Sequence, residues 1–195
     1  MSEWTPAADP AAQARYQVRF DIGVPGAARV ARAADVLVWA DQVVTDGAGG
    51  PSRAEATVRV PAEALAASPD AAVVAAALHD ANAVAVWILA EQERLGRRAY
   101  VAVIAAGRAD DGFAADDVLA AGAVVDALVA LGIDDTSPEA AVAASAFAGL
   151  RRAVAHLATA SVSGREAVSN GADPAGLRRD AIGDASAAVR VIRAR

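Results

Sequence analysis

The chain contains neither cysteine nor lysine. Without cysteine it has no disulfides, no zinc site built on thiolates and no cysteine nucleophile. All of its basic residues are arginine, and together with the excess of alanine this indicates a GC-rich coding sequence rather than a functional preference. Aromatic residues make up only 4% of the chain. A core must therefore depend on clusters of valine, leucine and isoleucine, since alanine buries little area.

Long apolar runs are also missing. No stretch reaches the roughly 18 uninterrupted apolar residues of a membrane-spanning helix. The first residues lack the charged and then apolar pattern of a signal peptide, so we expect a cytoplasmic protein. The net charge is −6 and the arginines form no basic stripe, which argues against nucleic acid as a partner. We therefore expect neither a membrane nor a nucleic acid to bind this chain.

Apolar patterning predicts one domain over residues 15–195, preceded by a flexible tail at 1–14. Strands are predicted at 16–20, 35–40, 57–60, 99–107 and 188–192, and helices at 27–33, 82–96, 115–131, 137–150 and 177–183. Turn chemistry is predicted at 21–26, and the run 71–77 is compatible with either a helix or a buried strand. Strands alternating with helices predict an α/β fold, with helices layered on both sides of a mostly parallel or mixed sheet.

Two acidic positions fall where α/β proteins place ligands. Asp41 ends an apolar strand, and the carboxyl ends of such strands border ligand crevices. A carboxylate there is suited to Mg²⁺, although a plain loop carboxylate is the commoner case. Asp80 and Asn82 precede a helix whose free N–H groups could bind an anion. Simple capping of that helix by Asp80 or Asn82 is the commoner case and does not exclude anion binding.

A second acidic pair opens the helix at 115–131. Asp116 and Asp117 could share a divalent cation or a proton, or simply complement the helix dipole. Further on, Ser163 and Arg165 belong to a Ser-Gly-Arg-Glu segment. The guanidinium of Arg165 suits bidentate binding of a phosphate or sulfonate, whereas Ser163 with Glu166 also fits a capping box.

These segments together resemble one known family. The matching stretches are residues 18–23, the strand that ends at Asp41, residues 78–83, 103–107, 113–128 and 163–166. In this order they resemble the 2-phosphosulfolactate phosphatases, over nearly the whole chain. The most specific part is the Ala-Ala-Gly strand end at 105–107, followed by the acidic pair and the Ala-Gly-Ala-Val-Val sequence at 121–125.

The resemblance implies an α/β, Mg²⁺-dependent hydrolase that removes phosphate from a small phosphorylated sulfo-acid during coenzyme M biosynthesis. It implies catalytic roles for Asp41, Asp80 and Asp117, and a metal site made by Asp41, Asp116 and Asp117. Substrate binding would fall to Asn82, Ser163 and Arg165. Base rates for small α/β enzymes add the expectation of a homodimer.

The chain departs from the family pattern at several of these motifs. Gln42 and Val43 follow Asp41 where the family continues with Val-Leu, and Asp80-Ala81 replaces an Asn-Gly-type turn. Ala105 stands where the family has cysteine. The alternative hypothesis is therefore a catalytically inactive homologue that serves as a binding or assembly module.

Overall fold

One five-stranded sheet forms the centre of the protein. The computed structural model describes residues 9–44, 58–110, 112–182 and 188–195. The strands are β1 (Val18–Ile22), β2 (Val36–Ala40), β3 (Ala72–Ala76), β4 (Val101–Ala105) and β5 (Arg190–Arg193). Their order in the sheet is β1-β4-β2-β3-β5. The first four strands in this order are parallel and β5 is antiparallel to β3, which confirms the predicted α/β class with a mostly parallel sheet.

Helices cover both faces of the sheet. They are α1 (Gly23–Val30), α2 (Ala62–Ala67), α3 (Ala81–Leu95), α4 (Ala115–Ala130), α5 (Pro138–Leu150), α6 (Val154–Ala160), α7 (Val162–Ser169) and α8 (Pro174–Ile182). One face packs against α1 and α2, and the other against α3, α4 and α5. The helices α6, α7 and α8 pack together beside α4. Within the described ranges, no helix is both long and apolar enough to cross a membrane.

The central strands are apolar on both sides because both of their faces are covered. Along β2, Val36 and Val38 point into the α3–α5 side, while Leu37 and Trp39 point into the α1–α2 side. All five residues of β2, of β3 and of β4 are buried. This explains why the run 71–77, which left helix and strand equally open, becomes the buried strand β3.

The predicted turn at 21–26 is wrong. Gly23 opens α1 directly after β1, with a φ of 67° that favours glycine. Pro25 lies in the first helical turn, where a proline costs no hydrogen bond. A Cβ on Gly26 would lie 2.8 Å from the Cβ of Asp21, so glycine is needed for the close approach of helix and strand.

The predicted strand at 57–60 is also wrong in its described part. Thr57 lies outside the described residues, and Val58 to Val60 form no regular structure before Pro61 and the short helix α2. Val58 is nevertheless buried in the α1–α2 side of the core. Residues 45–51, whose glycines and proline are typical of a loop, likewise lie outside the described residues.

Both ends of the described chain are bound to the rest of the domain. Gln13, within the predicted tail, is buried and exchanges two hydrogen bonds with the backbone of Phe20. At the other end, the guanidinium of Arg193 donates to the carbonyl oxygens of Ala71, Leu65 and Ser68. Gln13 is therefore fixed to β1, and β5 is fixed to the end of α2.

The N-cap of α5 offers a simple test of local stability. The hydroxyl of Ser137 accepts a hydrogen bond from the backbone N–H of Ala140 at 3.1 Å. We expect Ser137→Ala to lower the free energy of unfolding by about 1 kcal/mol. In the same helix the Ser145 hydroxyl only donates back to Ala141, so Ser145→Ala should be neutral or slightly stabilising. Urea unfolding of both variants measures the difference, and equal losses would contradict the capping role.

Candidate functional site at the carboxyl edge of the sheet

The carboxyl ends of the four parallel strands meet at one edge of the sheet. After β1 and β2 the chain continues to helices on one face, and after β3 and β4 to helices on the other. Because β4 lies between β1 and β2, the chain leaves β4 toward one face of the sheet and leaves its two neighbours toward the other face. A crevice opens at such a switch point, and α/β proteins bind ligands there.

Asp117 connects two of these strand ends. Its Oδ1 accepts a hydrogen bond from the backbone N–H of Gln42, after β2, at 2.8 Å. Its Oδ2 accepts one from the N–H of Gly107, after β4, at 3.0 Å. The side chain is almost fully buried, and burial raises the pKa of Asp117 well above its usual value, with further increases from the charges of Asp41 and Asp116. Asp117 therefore lies at the centre of a buried acidic cluster.

Asp116 faces α7 instead. The hydroxyl of Ser163 donates to Asp116 Oδ1 at 3.1 Å. Burial raises the pKa of Asp116, although hydrogen bonds from its own backbone and from Ser163 and Ser161 oppose the rise. The two neighbouring acids thus reach opposite sides, one toward the strand ends and one toward α7. Dipole complementation alone does not require such burial.

Asp41 completes the acidic cluster, which we define as Asp41, Asp116 and Asp117. Asp41 is partly exposed after the end of β2, and its backbone N–H donates a hydrogen bond to the carbonyl oxygen of Ala76 at the end of β3. Its charge raises the pKa of Asp117, so the two carboxylates lie within electrostatic range. In the part of the chain that the structure describes, however, no group of three acidic or histidine side chains is arranged to hold a metal ion.

Asp80 joins the same edge through the backbone. Its Oδ1 accepts the N–H of Ala77 at 2.6 Å, so the carboxylate binds the end of β3 and does not cap α3. Gln42 links this strand end to Asp117, because its side-chain oxygen accepts the N–H of Leu78 at 2.9 Å. The Nε2 of His79 lies 3.7 Å from Asp80 Oδ2. A continuous polar network therefore crosses the ends of β4, β2 and β3.

Two of the predicted substrate-binding residues do not reach this network. Asn82 is exposed in the first turn of α3. Arg165 is exposed on α7, where it lines a shallow depression with Glu166, Ser169 and Asn170. Ser163 does reach the site, through Asp116. The capping-box interpretation of Ser163 is wrong, because the hydroxyl of Ser161 accepts the N–H of Gly164 and caps α7.

Gln42, Gly107 and Ser161 also belong to the site, although no pattern in the sequence assigned them to it. Gly107 has a φ of 73°, and a Cβ there would lie 3.0 Å from the carbonyl oxygen of Gly112. The glycine after the apolar strand at 99–107 was the available signal for this turn. Gln42 and Ser161 have no comparable local signal, since their roles depend on elements distant in sequence.

Three buried side-chain atoms of the described residues lack any hydrogen-bond partner, and all three belong to residues at this edge. They are Nδ1 of His79, Oδ2 of Asp116 and one terminal guanidinium nitrogen, Nη1, of Arg190. His79 follows β3, Asp116 begins α4, and Arg190 pairs with Ala75 near the end of β3. Buried polar atoms are nearly always hydrogen-bonded. Water or a polar ligand at this edge would complete their bonding.

Compared with known proteins, the chain matches no protein-family model and no curated protein.

Proposed function

We propose that the chain is a Mg²⁺-dependent phosphatase-like hydrolase, resembling the 2-phosphosulfolactate phosphatases, that removes phosphate from a small phosphorylated acid. The observation that carries this proposal is the acidic cluster at the carboxyl edge of the parallel sheet. Asp41 and Asp117 come from positions 76 residues apart in the chain, yet the charge of one raises the pKa of the other. Carboxyl groups with perturbed pKa values at such an edge are candidates for a functional site.

The acidic cluster fits a Mg²⁺ ion that is held by one or two carboxylates. Its donors are carboxylate oxygens, the ligand type that Mg²⁺ prefers. Proteins often hold Mg²⁺ by one or two carboxylates, with water and substrate phosphate as the other ligands. Such a site needs no cage of three protein side chains, so it is compatible with the arrangement of the described residues.

Each residue of the edge then has a distinct task. Asp41, which is partly exposed, and Asp117 would hold the cation, whose charge offsets that of the phosphate. The backbone N–H groups of Gln42 and Gly107 fix the Asp117 carboxylate in place. Ser163 orients Asp116. Asp80 fixes the loop after β3 and acts on the site through its backbone contacts.

A second candidate function is a homologue without catalysis that binds a small molecule or another protein. The burial of Asp80 and Asp117 favours it, because both carboxylates already bind backbone N–H groups that hold strand ends together. Under this alternative the acids serve folding, and the edge binds its ligand without breaking a bond.

Phosphate release separates the two functions. We expect the wild-type protein to release phosphate from 2-phosphosulfolactate or a related phospho-acid with Mg²⁺, and to lose this activity with a chelator. Asp117→Asn should lower kcat/KM by roughly 100-fold, as losses of preorganised electrostatic groups do. The matched control is Asp126→Asn on the same helix, where the exposed carboxylate only pairs with Arg151 at 3.2 Å. The control should stay within about twofold of the wild type.

Thermal unfolding of both variants shows whether the loss at Asp117 reflects chemistry or unfolding. A folded Asp117→Asn protein without activity supports the phosphatase. Full activity in this variant, or activity that survives the chelator, contradicts it. A wild-type protein that binds the phospho-acids without releasing phosphate supports the second candidate.

A further inference from the structure

Arg190 is a cation at the carboxyl edge that has no role in the proposed phosphatase chemistry. It begins β5, the edge strand, and pairs with Ala75 of β3. One nitrogen of its guanidinium, Nη1, is buried and has no hydrogen-bond partner, and no ion pair to Arg190 occurs among the described residues. A buried guanidinium nitrogen without an acceptor loses its hydration without compensation. An oxyanion bound at this position would supply the missing acceptor.

Sheet register places Arg190 close to the acidic cluster. Ala75 is the register partner of both Arg190 and Trp39, so these three residues form a row across β5, β3 and β2. The row spans two strand spacings, roughly 10 Å between the outer backbones. Asp41 follows Trp39 by two residues at the same end of the sheet. A small molecule bound at Asp41 is therefore within reach of a long side chain from the start of β5.

The charges of the two places are complementary to one class of ligand. The acidic cluster suits a cation and the phosphate it carries, while an arginine suits the planar, bidentate recognition of an oxyanion. The other arginine of β5, Arg193, is already committed to backbone carbonyls at the end of α2. Among the described residues of β5, Arg190 is thus the cation available for a ligand.

We propose that Arg190 binds an oxyanion of the ligand at the carboxyl edge, a carboxylate, sulfonate or phosphate oxygen group. The inference rests on the proposed ligand site at this edge, but it requires binding only and no bond cleavage. Arg190 determines specificity: it favours ligands with an anionic group placed toward β3 and β5. Three probes distinguish the source of the oxyanion, namely malonate, methanesulfonate and inorganic phosphate.

Calorimetric titration of the full chain with these probes tests the proposal, with and without Mg²⁺. We expect at least one probe to bind, and Arg190→Gln to weaken it by about tenfold, the effect of one charged hydrogen bond. The control is Arg178→Gln, which removes the same charge from an exposed position on α8 and should leave binding within about twofold. Equal affinity of Arg190→Gln and wild type, or no binding of any probe, overturns the proposal.

A measurement on the unaltered chain covers the case in which Arg190→Gln fails to fold. Phenylglyoxal modifies accessible arginines, and mass spectrometry reads the extent at each position. The bound probe should slow modification of Arg190 and leave Arg178 unchanged, whereas equal rates with and without the probe contradict the proposal. If the wild-type protein releases no phosphate but a bound probe still protects Arg190, the phosphatase proposal is refuted and the anion-binding proposal is supported.

Discussion

Gly122→Ala should lower the free energy of unfolding by about 3 kcal/mol. Gly122 lies in α4 where this helix crosses α5, and a Cβ there would lie 2.2 Å from the carbonyl oxygen of Ala143 and 3.1 Å from the Cβ of Phe147. The carbonyl belongs to the backbone of α5, so the whole helix must shift. The expected fall in melting temperature is roughly 6–12 °C for a chain of this length.

The control for this substitution lies on the partner helix. Gly149, near the end of α5, has nothing within 4 Å of an added Cβ. Gly149→Ala should therefore raise the free energy of unfolding by about 0.5–1 kcal/mol, because alanine favours the helix more than glycine does. If contact between the helices decides the outcome, calorimetry will show a lower melting temperature for Gly122→Ala and a higher one for Gly149→Ala. Stabilisation in both would mean that α5 moves away at little cost.

Asp35→Ala should also destabilise strongly, by about 3 kcal/mol. Asp35 is buried before β2 and accepts two hydrogen bonds from Arg97, at 2.7 and 2.8 Å, and one from the backbone N–H of Tyr100 at 2.9 Å. Arg195 also pairs with it. Its removal breaks both ion pairs and leaves the backbone N–H of Tyr100 without an acceptor. Asp135→Ala, at an exposed pair with Arg98, is the control and should cost under about 1 kcal/mol.

The pH dependence of stability gives a second measure of the Asp35 cluster. Burial alone would raise the pKa of Asp35, but hydrogen bonds from Arg97, Tyr100 and Arg195 outweigh it and lower the pKa from 3.8 to about 2. Asp35 therefore contributes its full stabilisation above about pH 4 and loses about 2 kcal/mol as pH falls through 2. Urea unfolding between pH 5 and 2.5 should show the gap between wild type and Asp35→Asn narrowing. A constant gap would contradict the lowered pKa.

Much of the fold follows from local patterns. The helix predicted at 82–96 forms as α3, ending at Gly96 with a φ of 63°, and the apolar runs at 35–40 and 99–107 form β2 and β4. These predictions are confirmed because each segment has one clear apolar pattern, either helical spacing or a continuous apolar run. The start of α1 was predicted wrongly because Gly23, Pro25 and Gly26 are also typical turn residues. Only their packing against β1 decides for a helix.

The candidate site was only partly predictable. Asp116 and Asp117 carry a local signal, an acidic pair at a helix start, and the structure places both in the acidic cluster. The hydroxyl of Ser163 fitted a capping box equally well, and only the position of α7 beside α4 shows its contact with Asp116. Gln42 and Arg190 gain their neighbours from strand order, which no local pattern encodes.

The motif that carries the family resemblance most specifically has two separate physical roles. Its acidic pair lies at the carboxyl edge, where a ligand would bind. Gly122, six residues after Asp116, lies in the contact between α4 and α5. A resemblance in this segment therefore reports helix packing as well as chemistry.

The strand order also shapes how the chain reaches its native state. The strand partner of β1 is β4, and Val18 pairs with Val101, about 80 residues later. Closing a loop of that length costs roughly 4 kcal/mol of chain entropy before any contact compensates for it. Since β1 and β2 are neighbours in sequence but not in the sheet, the first βα unit forms no strand pair of its own. Pairing between strands so distant in sequence favours slow folding.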